Sequence, residues 1–159
     1  MTKSAIYAGS FDPITNGHLD IIHRALAVFD VIYVGVLENV EKQSLFSVND
    51  RVAMISNSVQ SDQVYVDGFT GLLVDYARQK QVNTIIRGLR AVSDFDYEFQ
   101  MSLTNRALDS NIDTVFFMTD QKYSYLSSSL VKQLARFNGD ISEFVSPYVK
   151  GRLEEVFNG

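Results

Sequence analysis

Hydrophobic residues along the chain follow two different periods. Five short runs are rich in β-branched and aromatic residues and predict strands, at residues 5–8, 31–37, 64–66, 84–86 and 114–118. The runs are nearly continuous and do not alternate with polar residues. Strands of this kind are covered on both faces, as in parallel sheets.

Between these runs, apolar residues recur every three or four positions, which is the period of a helix. Three such sets are Leu19, Ile22, Leu26 and Phe29; Val48, Val52, Ile55 and Val59; and Phe95, Phe99, Leu103 and Ala107. Each set predicts a helix that buries one face on the sheet. The segment Ser47-Val48-Asn49-Asp50 resembles a capping box and supports a helix start there. Two more helices are predicted at residues 128–137 and 147–157.

Strands that alternate with helices indicate βαβ units with right-handed crossovers. The predicted fold is therefore α/β: a doubly wound, Rossmann-like, five-stranded parallel sheet with helices on both faces and C-terminal helices. At 159 residues and 46% hydrophobic content, we expect a single domain spanning residues 1–159.

Composition narrows the function classes. The chain has no cysteine, which excludes disulfides, thiolate zinc sites and a thiol nucleophile. Its net charge of −5 argues against a nucleic-acid partner, because proteins that bind phosphate backbones carry a broad basic face. No stretch resembles a signal peptide or a membrane span, so we expect no membrane partner and a cytoplasmic location.

In doubly wound sheets, ligands bind beyond the carboxyl ends of the strands. The loop after the first predicted strand reads GSFDPITNGH, with Gly9 at its head. A helix that begins near Asn16 or Gly17 would place His18 in its first turn, where free N–H groups and the helix dipole favour an anion. The alternative is a simple turn, capped by Thr15 or Asn16, with a solvated His18. His18 and His23 are five residues apart, which does not suit a shared metal ion.

Two later loops offer further anion contacts. Arg87 and Arg90 flank a glycine directly after a strand and could clamp a phosphate, or could pair with Asp94, Asp96 and Glu98. Three serines open the helix predicted at residue 128, where one serine is enough for capping and the others favour a ligand. Lys42 taken alone reads as an ordinary surface lysine. Neither G-x-x-x-x-G-K-[ST] nor G-x-G-x-x-G is present in these loops.

Several of these segments carry a family resemblance. GSFDPITNGH resembles the first signature of the nucleotidylyltransferase superfamily, and LSSSLVK at residues 126–132 resembles its second signature. With IIRGLRAVSDFDYE at residues 85–98 and Lys42 before Phe46, the resemblance is to the bacterial phosphopantetheine adenylyltransferase family and covers essentially the whole chain.

The resemblance implies an activity, partners and site residues. The phosphate of 4'-phosphopantetheine would attack the α-phosphorus of ATP directly, with Mg²⁺ held by the ATP phosphates, and release dephospho-coenzyme A and pyrophosphate. His18 would stabilise the transition state, Ser10 would orient the attacking phosphate, and Lys42 and Arg87 would bind it, with Leu73 on the pantetheine arm. The implied ATP contacts are Ser10, Phe11, His18, Gly88, Leu89, Arg90, Glu98, Tyr123, Ser124, Tyr125, Leu126, Ser127, Ser128 and Ser129. A homohexamer and feedback inhibition by coenzyme A are also typical of the family.

The chain departs from the family pattern in a few places. Ala8 and Ser10 stand where many members have Pro and Thr, and the segment around Lys42 lacks the usual Asn-Pro and paired lysines. Two other functions stay open on the sequence alone: a non-catalytic nucleotide-binding module, which would not need His18, and a transferase for another acceptor, such as glycerol phosphate or nicotinamide mononucleotide.

Overall fold

Five parallel strands form one sheet in this computed structural model, which describes residues 1–158 except for the side chains of Val92 and Ser93. The strands are β1 (Ser4–Gly9), β2 (Val31–Leu37), β3 (Val64–Phe69), β4 (Thr84–Leu89) and β5 (Asp113–Met118). All neighbouring pairs are parallel, which confirms the predicted fold class.

The helices are α1 (Asn16–Leu26), α2 (Val48–Val59), α3 (Leu73–Lys80), α4 (Val92–Leu108), α5 (Ser128–Arg136) and α6 (Pro147–Asn158), with a 3₁₀ turn at Gln121–Tyr123. As predicted, Ser47 caps α2, where its hydroxyl accepts a hydrogen bond from the Asp50 N–H. None of the helices described is long and apolar enough to cross a membrane.

The strand order β3-β2-β1-β4-β5 contains one reversal of direction. The chain adds β2 and β3 on one side of β1, then returns to place β4 on the other side. Tyr7 in β1 lies opposite Ile86 in β4. The loops that follow β1 and β4 therefore meet at the carboxyl edge of the sheet, at the switch point where such folds bind ligands.

Two hydrophobic clusters cover the two faces of the sheet. The larger includes Ile22 from α1, Ile55 from α2, and Val149 and Leu153 from α6. The smaller packs α3 against Ile6 and Ile85. The apolar stripes predicted for α1 and α2 do pack against the larger cluster, because Leu19, Leu26, Val48, Val52 and Val59 all contact it.

The prediction that the apolar stripe of α4 packs on the sheet is wrong. Phe95, Phe99 and Leu103 are 44%, 47% and 51% exposed, and Phe95 and Phe99 stack on each other at the surface. The side of α4 that is buried carries Glu98 and Asn105 instead. Helical period alone cannot distinguish a face that covers the sheet from one that is free in the isolated chain.

Other differences concern element boundaries. Helix α3 has no counterpart in the sequence analysis; it is only eight residues long, and its buried residues are Val74, Tyr76 and Ala77. Strands β3 and β4 run further than the runs predicted at residues 64–66 and 84–86, so that Gly68 and Arg87 lie within strands.

Candidate active site

A cleft of about 550 Å³ opens at the switch point between β1 and β4. Its walls come from the loop after β1 at residues 9–17, the loop after β2 at residues 38–46, the end of β4, the beginning of α4 and the N-terminal turn of α5. These are the places where the sequence predicts ligand contacts.

Most of the predicted site residues line this cleft. They are Ser10, Phe11, His18, Lys42, Arg87, Gly88, Arg90, Glu98, Tyr123, Leu126, Ser127, Ser128 and Ser129. Leu73, Leu89, Ser124 and Tyr125 lie outside its wall. Leu73 is the first residue of α3 and packs beside the smaller cluster, and Tyr125 packs edge-on against Phe144.

His18 and Thr15 together cap the N-terminus of α1. The Thr15 hydroxyl accepts a hydrogen bond from the His18 N–H at 3.4 Å, and the Thr15 N–H donates to Nδ1 of the ring at 3.0 Å. The imidazole thus takes the part that Glu or Gln has in a capping box. A backbone N–H can only donate, so Nδ1 carries no proton and the proton of the neutral ring is on Nε2. Nε2–H is therefore the group that His18 can offer to a ligand.

The surroundings of His18 keep its ring uncharged. The ring is half-buried and lies edge-on to Phe11, with ring centroids 5.1 Å apart. Burial, followed by the positive charges of Arg90 and Arg87, lowers the pKa of His18 from 6.5 to about 4. A solvated His18, the alternative left open by the sequence, is therefore wrong. The capping by Thr15 and the turn at Asp12–Pro13 are both confirmed.

The first turn of α1 leaves one backbone donor beside the cleft. The Asn16 N–H bonds the Phe144 carbonyl, and the His18 and Leu19 N–H groups bond Thr15. Among the residues that the structure describes, no acceptor is recorded for the Gly17 N–H. A Cβ atom at Gly17 would meet protein atoms only at 3.5 Å or more, so the fold itself does not require glycine there. Gly17 lines the cleft, where a ligand can approach its backbone closely.

Arg87 and Glu98 form a bidentate ion pair on the opposite wall. Nε and Nη2 of Arg87 each donate to a carboxylate oxygen of Glu98 at 2.7 Å, and Nη1 donates to the Ala8 carbonyl at 2.9 Å. Burial opposes the charge on Arg87, but the hydrogen bonds and charge of Glu98 outweigh it and raise the Arg87 pKa. A guanidinium has five N–H groups, so two remain for an anion in the cleft.

Arg90 also has protein partners. Its Nη1 donates to the Leu126 carbonyl at 2.9 Å, just before α5, and its Nε lies 3.3 Å from Asp94. The sequence analysis leaves open whether the two arginines clamp a phosphate or pair with acids. The structure shows the pairing with Glu98 and Asp94, and it places both guanidinium groups on the cleft wall.

The serine run at α5 is used partly by the fold. The Ser127 hydroxyl caps the helix by accepting from the Leu130 N–H, and the Ser128 hydroxyl donates to the Pro13 carbonyl at 2.7 Å. Of the three serines in this run, all of which the structure describes, Ser129 is the one whose hydroxyl has no recorded hydrogen bond. The N–H groups of Ser128 and Ser129 lie in the first helical turn, where intrahelical acceptors are lacking.

Asp12, Lys132 and Tyr7 line the cleft, although the sequence analysis assigns them no role. Asp12 appears in the sequence only as part of a turn before proline. Lys132 is the last residue of the LSSSLVK motif, which is the one signal that could have drawn attention to it. Tyr7 is inside a strand that reads as core; burial raises the pKa of its hydroxyl, although the Arg87 charge opposes this.

Comparisons with known proteins agree with this geometry. A model of the family described as cytidylyltransferase-like matches residues 6–134. Phosphopantetheine adenylyltransferases of Alkaliphilus metalliredigens and Geotalea daltonii are 55% and 54% identical, over 92% and 98% of this chain and 94% and 98% of theirs. The corresponding protein of Desulfosudis oleivorans is 53% identical over 96% of this chain and 92% of its own. The chain belongs to the phosphopantetheine adenylyltransferase family.

Two solved structures have the same fold as this chain. One, assigned as a nicotinate-nucleotide adenylyltransferase from Vibrio parahaemolyticus, superposes with a TM-score of 0.70 at 17% identity over 96% of this chain and 99% of its own. The other is a bifunctional NMN adenylyltransferase/ADP ribose pyrophosphatase from Francisella tularensis, with a TM-score of 0.73 at 15% identity over the whole of this chain and 51% of that one. At such identities the likeness concerns the fold alone.

Proposed function

We propose that this enzyme transfers the adenylyl group of ATP to 4'-phosphopantetheine and releases dephospho-coenzyme A and pyrophosphate. The observation that carries the choice of acceptor is the identity of 53–55%, over nearly the full length, with relatives of that name. The geometry of the cleft supports adenylyl transfer, because it gathers neutral and cationic donors at the switch point and no nucleophilic side chain is needed.

The reaction we propose is a direct in-line attack of the acceptor phosphate on the α-phosphorus of ATP. The nucleophile is already an anion, so the protein has to position two substrates and stabilise the charge that develops on the α-phosphate. Nε2–H of His18 donates to that phosphate. The two remaining N–H groups of Arg87, with Lys42 and Ser10, bind the acceptor phosphate. The N–H groups and hydroxyl at the start of α5, with Arg90, bind the phosphates that leave.

The proposal keeps Mg²⁺ on the ATP phosphates. The acidic residues that line the cleft are already engaged: Glu98 with Arg87, Asp94 with Arg90, and Asp12 with Lys132. In the part of the chain that the structure describes, no group of three or more potential ligands is arranged for a metal ion. The residues present therefore do not fit a protein-held Mg²⁺ ion, and no step above depends on one.

The decisive measurement is pyrophosphate release by the purified protein with Mg²⁺, ATP and 4'-phosphopantetheine. We expect release only with this acceptor; release with nicotinamide mononucleotide, or with CTP and glycerol phosphate, in its place would refute the proposal. His18→Ala should lower kcat by about 10²-fold or more while ATP affinity changes little, because a donor aimed at the transition state is removed. A His18→Ala enzyme of near-normal rate would indicate a different mechanism or a binding module.

A homohexamer is part of the proposal, and α4 is the surface that supports it. Phe95, Phe99 and Leu103 form an exposed apolar stripe on one helix, of the kind that marks an interface in soluble proteins. Light scattering should give six times the chain mass of 17.9 kDa. Phe99→Asp should reduce this mass, whereas Phe137→Asp, at another exposed phenylalanine, should not.

Two further parts of the proposal concern inhibition by coenzyme A and location in the cell. Coenzyme A contains the phosphopantetheine arm, so we propose that it inhibits by competing with the acceptor for Arg87 and Lys42. Its inhibition should weaken as 4'-phosphopantetheine is raised, and inhibition that the acceptor cannot relieve would contradict this. We also propose a cytoplasmic location, which fractionation of cells that express the protein would test.

A further inference from the structure

Asp12 is a buried acid of the cleft whose three hydrogen-bond partners lie in distant parts of the chain. Its Oδ2 accepts from the Leu45 N–H at 2.8 Å and lies 3.2 Å from Nζ of Lys132, and its Oδ1 accepts from the Phe46 N–H at 3.0 Å. The residue is 7% exposed. A carboxylate that receives two backbone N–H groups and an ammonium group is well satisfied although buried.

The hydrogen-bond partners of Asp12 come from two different walls of the cleft. Leu45 and Phe46 end the loop after β2, which carries Lys42. Lys132 lies one turn into α5, four residues after Ser128, whose hydroxyl bonds the Pro13 carbonyl. The same face of α5 therefore contacts both Asp12 and Pro13.

Arg51 holds the two ends of the loop that carries Lys42 by donating to the Leu37 and Phe46 carbonyls, but the residues between these ends have few attachments. Residues 38–43 are exposed, and Val40 is 88% exposed. The loop is anchored where it begins by the Glu38 N–H, which bonds the Phe69 carbonyl. Between that bond and Leu45, the hydrogen bonds recorded for the described residues are internal to the loop, from the Glu41 and Lys42 N–H groups to Asn39.

We propose that Asp12 is a positioning residue for adenylyl transfer: it holds the loop that presents Lys42 at a fixed distance from the N-terminal turn of α5. Lys42 stands on the acceptor side of the cleft and the serines of α5 on the nucleotide side. Asp12 links the two sides through Leu45, Phe46 and Lys132. The kinetic part of this inference rests on the proposed function, whereas the structural part does not.

Asp12→Asn is the informative variant because asparagine has the same size and only one side-chain oxygen. If that oxygen replaces Oδ1 and accepts from Phe46, the new NH₂ group faces the Leu45 N–H and the Lys132 ammonium, which are all donors. The Leu45 N–H then loses its acceptor, and this end of the loop is held only through Phe46, whose carbonyl bonds Arg51. We expect KM for 4'-phosphopantetheine to rise about 10-fold and kcat to fall only a few-fold, since precise placement of a substrate is lost but the groups at the α-phosphate remain.

A double-mutant cycle separates positioning from general destabilisation. If Asp12 acts through Lys42, Asp12→Asn should raise KM for 4'-phosphopantetheine much less in a Lys42→Ala background than in the wild type. Asp75→Asn, which breaks an exposed ion pair with Arg78, is the control and should leave both constants unchanged. Equal effects of Asp12→Asn in the two backgrounds would overturn the proposal.

Hydrogen exchange measures the structural part in the wild-type enzyme without substrates. The Leu45 and Phe46 amides should exchange at least about 10-fold more slowly than those of Val40 and Gln43, for which no acceptor is recorded among the described residues. In Asp12→Asn the slow exchange of the Leu45 amide should be lost while the strands of the sheet stay protected. Equal exchange of the four amides in the wild type would refute the positioning role, even if Asp12→Asn failed to fold. Absence of pyrophosphate release from the wild type would refute the proposed function and leave the exchange result standing.

Discussion

Replacing His18 with glutamine would test the environment that the cleft creates around this ring. Glutamine is a natural capping-box residue at this position of a helix, and its side-chain oxygen can accept the Thr15 N–H as Nδ1 does now. The helix start is thus preserved, while the imidazole is removed.

The expected magnitude follows from the pKa of His18, which is about 4 in the folded enzyme because of burial and the charges of Arg90 and Arg87. In the unfolded chain the same ring has a pKa of about 6.5. As the pH falls from 6.5 to 4, the unfolded state takes up a proton that the folded state does not. As far as this ring is concerned, the free energy of unfolding therefore keeps its full value above pH 6.5 and falls by about 3 kcal/mol as the pH is lowered to 4.

Urea unfolding of the wild type and of His18→Gln at pH 7.5 and pH 4 measures this directly. All other titratable groups are the same in both proteins and cancel in the difference. We expect the free energy of unfolding of the wild type to decrease by about 3 kcal/mol more than that of the variant. If the free energies of unfolding of the two proteins changed equally with pH, the ring would not be held neutral by its surroundings. The assignment of a single ring proton to Nε2 at low pH would then be wrong.

Further variants probe the supports of the cleft and the packing of the sheet. Glu98→Gln should raise KM for 4'-phosphopantetheine in the same direction as Arg87→Ala but less, because Arg87 stays in place with a weaker partner; an unchanged KM in Arg87→Ala would remove it from acceptor binding. Arg51→Met should lower the free energy of unfolding, measured in urea, by about 2–4 kcal/mol. The reason is that the buried guanidinium donates to the Phe46, Ser10 and Leu37 carbonyls. Arg106 is exposed, so Arg106→Met should lower the free energy of unfolding by less than about 1 kcal/mol. Gly35→Ala should cost about 1–3 kcal/mol because its Cβ would lie 2.8 Å from Tyr76, and a melting temperature equal to the wild type would contradict this.

Local pattern was sufficient for the sheet and for most helices. The strand runs are continuous and apolar because both faces are covered, and α1 and α2 are amphipathic because each lies on the sheet, so their residues carry the information themselves. The motif around His18 and the serines before α5 could likewise be found as strings of residues. The α4 stripe could not be interpreted in this way, because an apolar helix face does not say whether the sheet or another surface will cover it.

The sequence by itself determined the fold class and the edge of the sheet that holds the cleft, and most of the site residues that it predicts line that cleft. Tertiary structure alone decided how those residues are used: that Nδ1 of His18 accepts a backbone N–H, that Glu98 holds Arg87, and that Asp12 joins Leu45 to Lys132. The physical reason is that these contacts connect residues 11 to 120 positions apart, or depend on one hydrogen atom, and neither leaves a periodic trace along the chain. Helices and strands are determined by the pattern of neighbouring residues, whereas the protonation and alignment of the site residues depend on groups that only folding brings together.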